Sequence, residues 1–112
     1  MDSWDIRAQD LQPHHPKVLR SDEEMRAILI SLPAGERLQM HQTYERSYVL
    51  VAGGEVELSH DGGTVTGGPG LLMHFAPNER REISATSDAR LLMMLSPWPG
   101  EGHPSQPRST AL

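Results

Sequence analysis

Turns, more than any other feature, limit what this chain can fold into. Ten glycines and nine prolines are spread through its 112 residues. No uninterrupted helical pattern outlasts about a dozen residues, short for a helix-built domain. From Ala52 onward, short apolar segments are divided by turn residues roughly every eight to twelve positions, the rhythm of an all-β sandwich or barrel. The length allows one domain. Cysteine is absent, which excludes disulfides, cysteine-zinc sites and thiol catalysis. The formal charge is −5 and Lys17 is the only lysine, so there is no basic stretch for nucleic acid or an anionic membrane. The opening MDSWDIRAQD is acidic and polar, unlike a signal peptide, and the longest clean apolar run, Leu91 to Leu95, is too short to span a bilayer. A soluble, cytoplasmic protein is expected.

Residues 1–16 read as a polar arm ending in Pro13-His14-His15-Pro16, residues 17–97 as the folded barrel, and residues 98–112 as a proline-rich tail with Trp98 pinning its start. Lys17 to Arg20 suits a first strand. Ser21 to Leu32 is ambiguous. Ser21 with Glu24 resembles a capping box, and Met25, Ile28, Leu29 and Leu32 fall at helical spacing. The run Ala27 to Ile30 also suits a buried strand. Strands are expected over Arg37 to Gln42, Arg46 to Val51, Glu55 to Ser59, Thr64 to Thr66, Leu71 to Phe75, Arg80 to Ala85 and Arg90 to Ser96. Asp61-Gly62-Gly63 is the strongest hairpin signal. Met25, Met40, Met73, Met93 and Met94 read as core fillers. Leu91 to Leu95 lacks alternation, so both of its faces should be covered, one by the core and one by a partner subunit. A homodimer is expected, with Leu91 to Leu95 and the Trp4 to Leu11 arm at the contact.

The stretch from Gly35 to Ala85 resembles the two motifs of the cupin superfamily. The first motif runs Gly, five residues, His-x-His, three or four residues, Glu, six residues, Gly. Here Gly35, His41 and Gly54 match, while Thr43 takes the second His position and Ser47 the Glu position. The second motif runs Gly, five residues, Pro-x-Gly, two residues, His, three residues, Asn. Gly70 opens it, Ala76 and Asn78 replace Pro and Gly, Arg81 stands at the His and Ala85 at the Asn. The resemblance implies a jelly-roll β-barrel, and it makes residues 25–32 a strand, against their local helical signal.

In cupins the motif positions hold a metal with three His and one Glu. Of those four, only His41 is kept. Thr43 and Ser47 are poor ligands, and the Arg81 guanidinium has no lone pair to give. The usual metal centre is therefore expected to be absent, with no cofactor. A substitute set of His41, His74 and Glu45 would need side chains turned inward. Glu45 reads instead as a loop residue facing solvent, and His74 as a core-edge histidine. His14, His15, His60 and His103 read as turn, arm or tail residues.

The resemblance turns His41, Thr43, Ser47 and Arg81 into one cavity. That gives one cation, one imidazole and two hydroxyls among apolar residues, the make-up of a small-molecule pocket. Arg81 suits a carboxylate or phosphate, with His41 as hydrogen-bonding neighbour or general acid–base. Alternatively, Arg81 pairs internally with a carboxylate such as Glu79 or Glu82, or bends out to water. Two function classes follow. One is a metal-free binding module, a sensor or accessory protein for a small anionic metabolite. The other is a cupin-type enzyme: an acid–base isomerase, epimerase or cyclase, or a dioxygenase-like protein with a non-standard metal site.

Overall fold

The computed structural model describes residues 1–40, 45–60 and 62–96. Nine strands carry the chain: β1 (Lys17–Ser21), β2 (Arg26–Leu32), β3 (Arg37–Met40), β4 (Arg46–Gly53), β5 (Val56–His60), β6 (Gly63–Gly67), β7 (Leu72–Phe75), β8 (Arg81–Ala85) and β9 (Ala89–Ser96). They pair antiparallel in two sheets, β1-β2-β9-β4-β7 and β3-β8-β5-β6. Buried side chains alternate with more exposed ones along β4, β5, β7, β8 and β9, as the two-residue repeat of a pleated strand requires. The core lies between the sheets. Ile28, Ile30, Leu32, Val49, Val51, Met73, Phe75, Leu91, Met93 and Leu95 come from the first sheet, and Val56, Leu58, Ile83 and Ala85 from the second.

The ambiguous segment is strand β2, as the family resemblance required. It lies between β1 and β9. Ile28, Ile30 and Leu32 face the core, and Leu29 on the opposite face is also fully buried. A strand covered on both faces has no polar alternation, so its apolar residues can fall at helical spacing by chance. The supposed capping box is a turn in the β1–β2 hairpin. There Asp22, not Ser21, accepts the Glu24 and Met25 backbone N–H groups on Oδ1, each at 3.0 Å. The β5–β6 hairpin closes on the pair His60–Gly63, at the place the Asp-Gly signal gave. Asp61 itself and residues 97–112, with Trp98 and His103, lie outside the described residues.

One end of the sandwich is tied together by its loops. Gly35 N–H donates to the Ala85 carbonyl (2.8 Å), and Ala34 N–H to Asp88 Oδ1 (2.8 Å). Glu55 N–H donates to Ser87 Oγ (2.9 Å), while Thr86 N–H donates to the Glu55 carbonyl (2.9 Å). The β8–β9 link is thereby fixed to two other loops. Gly54 makes this approach feasible, because a Cβ there would lie 2.0 Å from the Asp88 carbonyl oxygen.

The outward face of the first sheet is apolar as well. Leu29, Leu92, Leu50 and Leu72 stand side by side across β2, β9, β4 and β7. Exposure rises along this row, from 0% at Leu29 to 57% at Leu72. The N-terminal arm folds back to β9, where Arg90 Nη1 donates to the carbonyls of Ile6 (3.0 Å) and Gln9 (2.6 Å). Strand β9 is central in its sheet, so Leu91 to Leu95 presents a face and not an edge. The methionines divide. Met73 and Met93 fill the core, but Met25, in the β1–β2 turn, is 44% exposed, and Met94, on the opposite parity of β9, points outward and is half-buried.

Candidate functional site

Strand register collects polar residues at the end of the sandwich opposite the tied loops. Across the first sheet, Arg26 pairs with Leu95, Leu95 with Ser47, and Ser47 with Phe75. Residues directly opposite on antiparallel strands share a face. Leu95 and Phe75 belong to the core, so this whole row faces inward. In the second sheet Arg81 stands opposite His60. Arg81 shares its parity with buried Ile83 and Ala85, and His60 shares its parity with buried Val56 and Leu58.

Arg81 is the centre of this group and is only 5% exposed. Its Nη2 donates to Ser47 Oγ at 3.0 Å, and its Nη1 donates to the Glu79 backbone carbonyl at 3.1 Å. The guanidinium carbon lies 4.3 Å from the centroid of the Phe75 ring, a cation–π contact. Nε is buried and has no hydrogen-bond partner among the described residues. Burial pulls the Arg81 pKa below its ordinary value, while the Glu79 and Glu45 carboxylates oppose that shift. The internal pairing considered from the sequence is thus made to the Glu79 backbone. The Glu79 carboxylate itself accepts Ala76 N–H on Oε1 at 3.0 Å.

Two sequence expectations are corrected at this point. Glu45 does not face solvent: it is 4% exposed, immediately before β4 and on the same parity as Ser47 and Val49. His74 is not a core-edge residue. It faces outward on β7 and is exposed, its ring 4.8 Å from that of Tyr48. The substitute metal set of His41, His74 and Glu45 therefore does not assemble, since His74 and Glu45 are turned to opposite sides. His41 and Thr43 lie outside the described residues. At the metal-ligand positions that are described, a hydroxyl and a guanidinium do not fit a metal ion. The first is a weak donor, and the second is a fixed cation without a lone pair.

His60 closes the β5–β6 turn at this end, as the sequence reading had it. Its Nδ1 accepts the Gly62 N–H at 3.1 Å. That bond leaves the proton of the neutral ring on Nε2, so the imidazole offers a donor. Arg26, on β2, was missed. It could have been found by counting in twos from Ile30 and Ile28 on β2.

No family model matches the sequence, and no curated protein matches it. Solved structures do. An RmlC-like cupin protein from Desulfovibrio desulfuricans superposes with a TM-score of 0.76 at 18% identity, covering 87% of this chain and 97% of that one. A cupin superfamily protein from Desulfitobacterium hafniense gives 0.72 at 13% identity, covering 81% and 85%. KdgF from a Halomonas species gives 0.71 at 19% identity, covering 81% and 87%. The chain has the cupin fold, a double-stranded β-helix. Among the described residues, no helix is long and apolar enough to cross a membrane.

Proposed function

We propose that this protein binds a small anionic metabolite at the open end of the barrel without the usual metal, as a sensor or accessory binding protein. The observation that carries the reading is Arg81, a buried cation whose Nε–H has no acceptor among the described residues. An unsatisfied buried donor is costly, and a bound anion relieves that cost. Nε and the neighbouring Nη2 form the side edge of the guanidinium, which matches the two oxygens of a carboxylate. Phe75 holds the guanidinium plane from one side and Ser47 anchors one corner. By the family resemblance His41 and Thr43 join the ligand-binding set, with His41 as acid–base or hydrogen-bonding neighbour.

Each charge-assisted hydrogen bond to the ligand contributes about 1.5–3 kcal/mol. The test is a thermal-shift screen of small carboxylates and phosphates on the wild type and on Arg81→Ala. Ligands should raise the wild-type melting temperature and lose most of that effect in the variant. Equal stabilisation of both proteins would remove Arg81 from the site and end the reading.

A further inference from the structure

We infer that the site grips only the carboxylate end of its ligand and that the rest of the ligand stays outside the barrel. This deepens the proposed function and rests on Arg81 as the anion anchor. Strand register divides the barrel interior into layers. The outermost at this end holds the row Arg26, Leu95, Ser47 and Phe75 in the first sheet and Arg81 in the second. The bond from Arg81 Nη2 to Ser47 Oγ and the contact of the guanidinium with the Phe75 ring join the two sheets across this layer. Two residues further along each strand comes the next layer. It consists of Ile28, Met93, Val49 and Met73 in the first sheet and the pair Leu58 and Ile83 in the second.

That second layer is filled. Ile83 and Val49 are 0% exposed, so no void large enough for a water molecule touches either of them. Leu58, Met73 and Met93 are buried with them in one apolar cluster. One step deeper, Val51 stands beside Leu91, and both are also 0% exposed. Forcing extra methylenes into an interior packed this closely is unfavourable. A polar substituent pushed below Arg81 would meet only apolar side chains and lose its hydrogen bonds to water. The anion therefore engages the last layer of the barrel and nothing deeper. What the ligand carries beyond its carboxylate projects away from the core. The chemical class is a terminal carboxylate on a body of any length, as in an unbranched acid or at the end of a peptide.

The probes are acetate, butyrate, hexanoate and N-acetyl-triglycine, titrated into the full chain by calorimetry. A methylene buried in the barrel tightens binding about fourfold, so a ligand lying inside would gain about two hundredfold from acetate to hexanoate. Affinities for the four probes should instead stay within about fourfold of one another, no more than one buried methylene gives. All should fall at least about tenfold in Arg81→Ala, the low end for one charge-assisted hydrogen bond. A larger rise from acetate to hexanoate would overturn this inference and leave the anion reading standing, and that comparison needs no variant to fold. An affinity for N-acetyl-triglycine outside the fourfold range would overturn it too, because the body of the ligand would then touch the protein. Binding of none of the four probes, or a smaller fall in Arg81→Ala, would overturn both readings together.

Discussion

Gly54 and Gly35 occupy equivalent-looking places in the motif, yet alanine should have very different effects at the two. Both glycines are left-handed, with φ of +73° at Gly54 and +85° at Gly35. An L-residue in that region costs about 1–2 kcal/mol. Alanine also restricts the unfolded chain, which returns about 0.4–1 kcal/mol. At Gly35 nothing lies within 4 Å of an added Cβ, so the net loss should be about 1 kcal/mol or less. At Gly54 the Cβ would lie 2.0 Å from the Asp88 carbonyl oxygen and 2.7 Å from Ala89 Cα. Both obstacles are backbone, and they are fixed by the Ser87 and Asp88 hydrogen bonds to Glu55 and Ala34. Forcing extra atoms into such a contact adds about 1–3 kcal/mol or more. The total for Gly54→Ala is then about 3 kcal/mol. At about 4 °C per kcal/mol, Gly54→Ala should melt about 12 °C below the wild type and Gly35→Ala within about 4 °C of it. Calorimetry or circular dichroism melts of the two variants side by side provide the assay. Equal losses would mean that left-handed backbone alone explains both glycines, and would refute the steric argument.

Leu29→Ala should cost about 2–4 kcal/mol in urea unfolding although its side chain faces away from the core; a loss below about 1 kcal/mol would mean that the outward face is not packed at Leu29. Asp22 should titrate below the ordinary aspartate range, because its carboxylate accepts the Glu24 and then the Met25 backbone N–H. Its contribution to stability is then present above the unfolded pKa and is lost as pH falls through the lower folded value. Carboxyl NMR showing an ordinary or raised midpoint would contradict this, and Asp22→Asn should remove that part of the acid dependence. The chain should form a homodimer through the outward side of β9, where Leu92 and Met94 are half-buried; light scattering that gives a monomer at micromolar concentration would rule this out.

Strand positions were legible because turn residues mark them. The spacing of Asp61-Gly62-Gly63 located the β5–β6 hairpin, and the charged–apolar alternation of Glu55 to Ser59 gave the buried and exposed faces of β5 as found. Residues Ser21 to Leu32 resisted reading because β2 is apolar on both faces, and periodicity cannot separate such a strand from a helix. The motif located Ser47 and Arg81, which the structure joins by a hydrogen bond. Glu45 and His74 differ from the sequence reading for one shared reason. Their charge or neighbouring turn was weighed above their parity in the strand. Continuing the inward count from Ser47 to Glu45, and the outward count from Leu72 to His74, gives the observed directions. Glu79 was legible as a partner of Arg81, but the accepting atom was not, because Arg81 donates to the backbone carbonyl there.

The ends of the two sheets differ in a way that bears on behaviour at high concentration. Edge strand β1 carries Lys17 and Arg20, and edge strand β3 carries Arg37. The other two edges, β6 and β7, contain no Lys, Arg, Asp or Glu. An edge strand leaves a row of backbone donors and acceptors open to any passing strand, and charge is one of the means by which proteins repel such pairing. Two neighbouring molecules therefore meet electrostatic resistance along one pair of edges and none along the other. Crowding favours edge-to-edge association through β6 and β7, over strands only five and four residues long. A lysine at exposed Thr66 would close the longer of these routes without touching the barrel interior.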